Sequence, residues 1–266
     1  MNASERFFLP DMQASPDHRR LAIQQVGVKG LRYPLSLIDA TGETHPTVAT
    51  LAMTVGLPPE VKGTHMSRFV EMLERERPAL TLHDLRQMFA EMLLHLQANS
   101  GRIEIRFPYF IRKLAPVSGV ASLLDIDAGI DVWAEAGGTV ETALAVTVPV
   151  TSLCPCSKEI SDYGAHNQRS HLSLRVQLKA DMSLEELVRI AEEEASCEVF
   201  GLLKRPDEKW VTERAYDNPK FVEDLVRDIA LRLQDDARIG TWSVASENFE
   251  SIHNHSAYAL IEGRNA

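Results

Sequence analysis

The chain has 266 residues, of which 44% are hydrophobic and 25% charged, a composition typical of a globular protein with one or two cores. Its net charge of −10 argues against a general nucleic-acid binder and against a protein that binds anionic membranes. No apolar run approaches the roughly 20 residues that span a bilayer, no signal peptide is evident, and three cysteines are too few for a disulfide scaffold. We therefore expect a cytoplasmic protein.

The first half of the chain predicts the order β-β-α-α-β-β. Residues 1–18 lack periodicity and are expected to form a tail. A turn-rich stretch around Tyr33-Pro34 and Thr41-Gly42 should separate the first two strands, and Thr81 should cap the second helix. The predicted elements are strands over 21–28 and 47–55, helices beginning near 63–64 and after 81, and strands over 102–110 and 121–133.

The second half repeats this order. Ser183 and Glu186 form a capping-box pattern that should open a helix reaching about residue 203. Asn218, followed by Pro219, should begin the next helix, with a loop over 204–217 between the two. The remaining elements are predicted to be strands over 138–152, 171–180, 238–249 and 255–262.

The repeat predicts an α+β protein made of two tandem modules, residues 19–136 and residues 137–266. Each module should lay a pair of helices on one face of an antiparallel sheet. The exposed strand edges of such sheets invite assembly with other subunits.

A loop within residues 148–172 concentrates reactive side chains between two predicted strands. Cys154 and His166 stand twelve residues apart at its two ends, where paired strands bring such positions close. A thiolate and an imidazole suit a divalent ion such as zinc, although two ligands do not make a site. The candidate side chains of the loop are Cys154, Cys156, Lys158, His166, Arg169 and His171.

Three interpretations of this loop stay open from the residues alone. Cys154 and His166 could bind a catalytic metal, they could belong to a structural zinc site, or Cys154 could be a nucleophile with His166 as its base. A structural zinc site usually has four Cys or His ligands. Cys197, predicted inside a helix with apolar neighbours, looks like a core cysteine rather than a further ligand.

Two other segments carry suitable chemistry. Residues 205–210 are predicted to be an ordered turn because of Pro206, and Asp207 or Glu208 could add a carboxylate to a Cys/His metal site. A solvated acidic turn would have the same sequence. His253 and His255 lie two residues apart, on the same side of an extended chain, which again fits either a site or a solvated hairpin.

The run P-V-T-S-L-C-P-C-S-K-E-I-S-D-Y-G-A-H-N-Q-R-S-H, together with N-P-K-F-V-E-D and S-I-H-N-H, resembles the type IB GTP cyclohydrolase family. The resemblance covers roughly residues 19–262. The Cys-Glu-His-His motif of type IA enzymes does not occur in the sequence, and neither does their second zinc-binding cysteine. The family has the tunnelling fold, or T-fold, with two β-β-α-α-β-β modules per subunit, and assembles as a homotetramer with sites between subunits.

The resemblance implies conversion of GTP to 7,8-dihydroneopterin triphosphate and formate. It implies one divalent metal, which would be zinc, manganese or iron, and no organic cofactor. By position, Cys154, His166 and Glu208 look like the metal ligands, and Glu223 matches the glutamate that anchors the substrate's ring. Without the resemblance, Glu223 would be interpreted as an ordinary acidic residue in the first turn of a helix.

The remaining roles follow from the same hypothesis. His253 and His255, with Cys154, are the catalytic candidates, the two histidines as acid and base for opening the imidazole ring and releasing formate. The cations expected to bind the triphosphate are Lys62, His65 and Arg68, at a predicted helix start where backbone N–H groups favour anions. A solvated helix terminus explains the same three residues, and Lys158 and Arg169 are further candidates.

Two rival functions remain at this point. The T-fold nitrile reductase of queuosine synthesis also binds a guanine-like ring and uses a cysteine, but its Glu-Ser-Lys signature does not occur in the sequence. A non-catalytic zinc-binding scaffold would need four protein ligands on its metal. Neither rival predicts GTP turnover, and neither nucleic acid nor membrane is expected as a partner.

Overall fold

One antiparallel sheet carries both halves of the chain. In this computed structural model, residue 13 and residues 15–39, 41–75 and 79–265 are described. The strands are β1 Ile23–Ile38, β2 Thr44–Leu57, β3 Gly101–Leu114, β4 Ala121–Ala134, β5 Glu141–Leu153, β6 Asn167–Leu178, β7 Cys197–Glu198, β8 Ile239–Asn248 and β9 Ala257–Arg264. The helices are α1 Met66–Leu73, α2 Leu82–Leu96, α3 Pro155–Ile160, α4 Leu184–Glu194, α5 Arg205–Asp217 and α6 Val222–Asp235.

The strands are ordered β1-β2-β3-β4-β5-β6-β8-β9, and the short β7 pairs with β5. Strand β4 pairs with β5 over seven residue pairs, from Asp127 opposite Thr147 to Trp133 opposite Glu141. The boundary predicted near residue 136 falls in the turn between these strands. Because the sheet continues across that turn, the division into two modules remains our proposal rather than an observed separation.

Alternation along the strands places apolar side chains on the face that the helices cover. Met53, Ile105, Leu144 and Leu174 are among the buried strand residues, and they belong to one continuous core with buried residues of α1, α2, α4 and α6. The helix-free face carries charge: Asp131 is almost fully buried between the guanidinium groups of Arg106 and Arg175, at 2.5 and 2.7 Å. Across the described residues, no helix combines the length and apolar character needed to cross a membrane.

The helix caps predicted at Thr81 and Ser183 are present. Thr81 Oγ1 accepts a hydrogen bond from the Asp84 N–H, and the Asp84 carboxylate accepts one from the Thr81 N–H. Ser183 and Glu186 make the same reciprocal pair at the start of α4. Each cap satisfies backbone donors that the first turn of a helix leaves unpaired.

The prediction of a turn at Tyr33 and Pro34 is wrong, because β1 runs through both residues. Strand β1 is at an edge of the sheet, where a proline costs no ladder hydrogen bond if its nitrogen faces outward. An irregularity in the pairing between Val28 and Leu31 accommodates Gly30, whose φ of 71° favours glycine. The N-terminal tail, predicted over residues 1–18, is described only at residue 13 and from residue 15 onward.

The loop predicted over 204–217 is a helix, α5. Pro206 lies in its first turn, where a missing N–H costs nothing, so the proline starts a helix rather than preventing one. Asn218 ends α5 instead of opening the next helix, and its side-chain amide donates to the Ala195 carbonyl at 2.7 Å. Helix α6 begins at Val222.

Helix α4 ends at Glu194, before the predicted end near residue 203. The next residues leave the helix to pair with β5, where Cys197 lies opposite Thr151. Cys197 is therefore a strand residue, although it is buried, as a core cysteine should be. Burial and the neighbouring Glu198 carboxylate raise the pKa of the Cys197 thiol to about 11.

Asp207 joins the start of α5 to the hairpin between β3 and β4. Its carboxylate accepts hydrogen bonds from the Val117 N–H, from the N–H and hydroxyl of Ser118, and from the Lys204 N–H, at 2.6–2.8 Å. Burial alone would raise the pKa of Asp207, but these hydrogen bonds outweigh it and hold the pKa well below its usual range. The buried carboxylate therefore remains charged at neutral pH.

We expect the Asp207 hydrogen bonds to make stability pH-dependent in a definite direction. A lowered folded-state pKa stabilises the protein above the unfolded value of about 3.9, and this stabilisation is lost as the pH falls through the folded value. Asp207→Asn should therefore lower the urea midpoint at neutral pH, and its deficit should shrink below about pH 4. Urea titrations of both proteins across this range measure the effect; a deficit that stays constant with pH would contradict it.

Candidate active site

The hairpin of β5 and β6 brings Cys154 and His166 face to face. The last residue pair of the two strands is Leu153 opposite Asn167. Beyond it, the Cys154 N–H donates to the His166 carbonyl at 3.1 Å, so the ladder continues for one more step. The two residues that the sequence placed at the ends of a long loop are thus direct neighbours.

The loop between them folds as the short helix α3, with Cys154 as its N-cap. The Cys154 Sγ atom accepts a hydrogen bond from the Ser157 N–H at 3.5 Å. The Ser157 hydroxyl donates to the Cys154 carbonyl and accepts from the His166 N–H, both at 3.2 Å. Cys154 is half-buried and Cys156 is exposed, so the first cysteine faces the site more closely than the second.

His166 has oxygen atoms near its Nδ1. The Gln168 Oε1 lies at 2.9 Å and the Glu250 Oε2 at 3.8 Å, and the side chains of His166 and Glu250 are each 13% exposed. Neither Glu250 nor Gln168 was predicted from the sequence. Glu250 directly precedes the segment with two histidines, but only the pairing of β6 with β8 reveals that it reaches His166.

Leu153 connects this hairpin to the linker between α5 and α6. Its N–H donates to the Ser196 hydroxyl at 3.1 Å, and its carbonyl accepts from the Lys220 N–H at 3.0 Å. Helix α6 begins two residues after Lys220, so Glu223, in its exposed first turn, lies at the same end of the sheet as Cys154.

His253 and His255 lie in the exposed loop between β8 and β9. Their rings are stacked, with centroids 5.2 Å apart and planes at 17°. The Phe249 N–H donates to the Arg169 carbonyl at 2.9 Å, which attaches the start of this loop to β6. Both histidines therefore stand at the end of the sheet where His166 lies.

Glu208 lies in the first turns of α5, next to the buried Asp207, and is exposed. Within the part of the chain that the structure describes, the ligand atoms of Cys154, His166 and Glu208 do not all come within 4.8 Å of one another. A single chain thus places these three residues at one end of the sheet, but their ligand atoms are not close enough together to bind one metal ion.

One group of described residues does meet that distance: Asp39, Glu43 and His45, at the hairpin between β1 and β2. This group was not predicted from the sequence. Burial alone would raise the pKa of Asp39, but hydrogen bonds from His45, Thr41 and Glu43 lower it to about 2. This group could hold a metal, yet its bonds also close a tight hairpin, and two strands, β3 and β4, separate β2 from β5.

The three predicted phosphate-binding residues lie elsewhere. Lys62, His65 and Arg68 follow the C-terminal end of β2, whereas Cys154 follows that of β5, and these strands run in opposite directions. The 13 residues of β5 span about 40 Å. One chain therefore does not bring these cations to Cys154.

The two further cation candidates are at the Cys154 end. Lys158 Nζ donates to the Tyr216 carbonyl at 2.6 Å and lies 4.3 Å from the centre of the Tyr216 ring. Arg169 is exposed on β6, one strand position from the buried Ser170. Lys158 thus has a role in joining α3 to α5, and Arg169 faces outward.

Comparisons with known proteins cover the whole chain. Residues 9–259 match the family model described as type I GTP cyclohydrolase FolE2. The chain is 71% identical over 265 residues to GTP cyclohydrolase FolE2 1 of Dechloromonas aromatica, covering 100% of both chains. It is 60% identical over 256 residues to GTP cyclohydrolase FolE2 of Burkholderia multivorans, covering 96% of this chain and 95% of that one.

Among solved structures, the chain resembles urate oxidases in fold. For the enzyme of Bacillus subtilis the TM-score is 0.51 at 9% identity, covering 90% of this chain and 97% of that one. For a highly active mutant of the Bacillus sp. TB-90 enzyme it is 0.53 at 8% identity, covering 91% and 100%. This likeness concerns the fold alone, and it confirms the predicted α+β tunnelling fold.

Proposed function

Because the chain belongs to the type I GTP cyclohydrolase FolE2 family, we propose that the end of the sheet bearing Cys154 and His166 is where it converts GTP and water to 7,8-dihydroneopterin triphosphate and formate. The observation that carries this proposal is the direct apposition of these two residues across the mouth of the β5–β6 hairpin. Four other residues implied by the family resemblance share that end of the sheet: Glu208, Glu223, His253 and His255.

The donor atoms at this end fit a divalent metal such as zinc, manganese or iron. Cys154 offers a sulfur atom that accepts a hydrogen bond from the Ser157 N–H, and His166 offers an imidazole whose Nδ1 faces oxygen atoms. We propose Glu208 as the third ligand and no organic cofactor. When bound, such an ion supplies a Lewis acid that makes water a nucleophile near neutral pH.

The identity of the carboxylate ligand has a direct test, because Glu250 is a second candidate 3.8 Å from His166. Glu208→Gln should weaken metal binding by at least about 100-fold, whereas Glu250→Gln, losing a group beside a ligand, should weaken it by about 10-fold. Metal retained after dialysis against graded chelator measures both. The reverse order would transfer the ligand role to Glu250.

We propose that Glu223 binds the guanine ring. A carboxylate accepts two parallel hydrogen bonds from the N1–H and 2-amino groups of guanine, which requires an accessible position such as the first turn of α6. The same geometry selects guanine over adenine, since adenine lacks this pair of donors.

Glu223→Gln should lower kcat/KM for GTP by about 30- to 5,000-fold, corresponding to roughly 2–5 kcal/mol for a broken charged pair. Asp224→Asn is the matched control, because Asp224 accepts a hydrogen bond from the Phe221 N–H within the same turn and an amide oxygen still accepts it. The control should stay within about threefold of wild type. Steady-state kinetics that are unchanged in Glu223→Gln would remove the ring-binding role.

The proton transfers are assigned to His253 and His255. Opening the five-membered ring of the purine and releasing formate require protons to be taken from water and given to the purine nitrogens. Histidine side chains carry out such transfers near neutral pH. The two stacked rings are exposed in a loop beside His166, a position suited to serve a substrate held by Glu223. Cys154 acts here as a ligand rather than as a nucleophile.

For the triphosphate we propose Lys62, His65 and Arg68 of a neighbouring subunit in a homotetramer. Within one chain they lie at the opposite end of the sheet, so they reach a Cys154 site only across a subunit contact. Strands β1 and β9 are at the two edges of the sheet and can pair with other subunits. We also propose a cytoplasmic enzyme, consistent with three free cysteines.

Shared sites predict complementation between two inactive variants. Cys154→Ala and Arg68→Ala subunits, unfolded together and refolded as a 1:1 mixture, should form about a quarter of their sites from two intact halves. Activity should therefore recover to about a quarter of wild type, while each variant refolded alone stays inactive. No recovery in a mixture shown to contain hybrid oligomers would refute shared sites.

The central test of function is turnover. Purified protein given GTP and a divalent metal should release formate and yield a pterin that fluoresces after oxidation. Cys154→Ala should lower the rate by at least about 1,000-fold through loss of a ligand, and the exposed Cys156→Ala should remain within about threefold. Equal loss in both variants would refute the choice of Cys154, and no turnover with any metal would refute the proposed site.

A further inference from the structure

We propose that Gln168 is a positioning residue: it holds the neutral His166 ring with its proton on Nδ1, so that Nε2 presents a lone pair to the metal. The proposal rests on the metal centre proposed above, but its structural part concerns residues of the free protein. Metal-bound histidines commonly donate their other ring N–H to an oxygen acceptor, and that partner fixes the ring's orientation.

Gln168 is well placed for this role because it is buried and held at both ends. Its Oε1 lies 2.9 Å from the His166 Nδ1, and its Nε2 donates to the Ser152 hydroxyl at 3.2 Å. The Ser152 hydroxyl in turn lies 2.6 Å from that of Ser170. Gln168 is 7% exposed and the two serines are fully buried, so water does not compete for these groups.

The backbone fixes the positions of these partners. His166 directly precedes β6 and Gln168 is its second residue, so the two side chains, two positions apart along an extended chain, project to the same side. Ser152 is the register partner of Gln168 on β5. The amide therefore lies between the histidine and a serine that the two strands hold at a set distance.

The Glu250 carboxylate determines which of the two groups of the Gln168 amide faces His166. An amide turned by 180° could still bond both neighbours, since a serine hydroxyl donates as well as accepts. That arrangement would leave a lone pair on His166 Nδ1 facing the Glu250 carboxylate at 3.8 Å. A negative charge favours an N–H there over a lone pair. Gln168 thus presents its oxygen to Nδ1, and the proton is on Nδ1.

The consequence concerns metal affinity. Free histidine prefers its proton on Nε2, the atom that the metal needs, so an unguided His166 would have to change tautomer and orientation at each binding event. Loss of such a partner usually weakens metal binding by about 10- to 100-fold. Gln168→Leu, which keeps volume but removes the acceptor, should show this loss for Co²⁺, measured from the thiolate-to-cobalt absorption during chelator competition.

Two further variants separate positioning from packing. Gln168→Glu keeps an acceptor for the Nδ1–H and lets Ser152 donate to it, so it should bind Co²⁺ within about threefold of wild type. Ser246→Ala removes another buried hydrogen bond, to Asn248 on the neighbouring strand β8, and should also stay within about threefold. Wild-type affinity in a folded Gln168→Leu protein would overturn the proposal.

A measurement on the unaltered protein tests the tautomer without depending on any variant's metal affinity. In metal-free protein labelled with ¹⁵N-histidine, at a pH about two units above the ordinary histidine value of about 6.5, the His166 ring should show a protonated Nδ1 and an unprotonated Nε2. His166→Ala serves only to assign the signal. A protonated Nε2 would refute the role of Gln168, whereas absence of metal binding by wild type would refute the metal centre alone.

Discussion

The hydrogen bond from the Cys154 N–H to the His166 carbonyl carries the β5–β6 ladder one step past the last strand pair. This bond fixes the two backbones relative to each other at the mouth of the loop. The Ser157 hydroxyl holds both backbones from the loop side, and Leu153 connects them to the start of α6. The thiol and the imidazole are thus positioned by main-chain geometry, which tolerates substitution around the site better than side-chain packing does.

Antiparallel strands place consecutive loops at alternate ends of a sheet, and this rule divides the candidate residues into two groups. The loops after β5 and β8 and the start of α6 open at one end, and the segment after β2 opens at the other. Loops at opposite ends of the sheet are separated by the length of a strand, about 40 Å for β5, so a loop movement within one chain does not bring the two groups together. A site that needs residues from both ends of the sheet is not completed within one chain, so the proposed triphosphate contacts require a second copy.

Features set by neighbouring residues could be predicted from the sequence, and features set by distant ones could not. Strand alternation and the caps at Thr81 and Ser183 depend on a few adjacent positions, so the repeated order and the starts of α2 and α4 emerged directly, whereas the helix start predicted at Asn218 was wrong because that residue ends α5. Helix α5 was missed because Pro206 was interpreted as a break, although proline favours a first turn. Glu250 could not be found from the sequence, because its significance depends on the pairing of β6 with β8, two segments far apart in the chain. Gln168 is only two residues from His166, but its significance depends on the β5–β6 register, which places it opposite Ser152.

Asp207 and Glu208 are adjacent in α5, and they have opposite environments. The first is fixed to the turn between β3 and β4, which belongs to the N-terminal half, and the second projects outward from the C-terminal half. The direction in which Glu208 points is therefore set by a contact with the other half of the polypeptide. The two halves of the chain therefore cannot be exchanged independently. A chimera that replaced the N-terminal half with that of a relative would have to keep the Val117 and Ser118 groups that bind Asp207, because they set the orientation of Glu208.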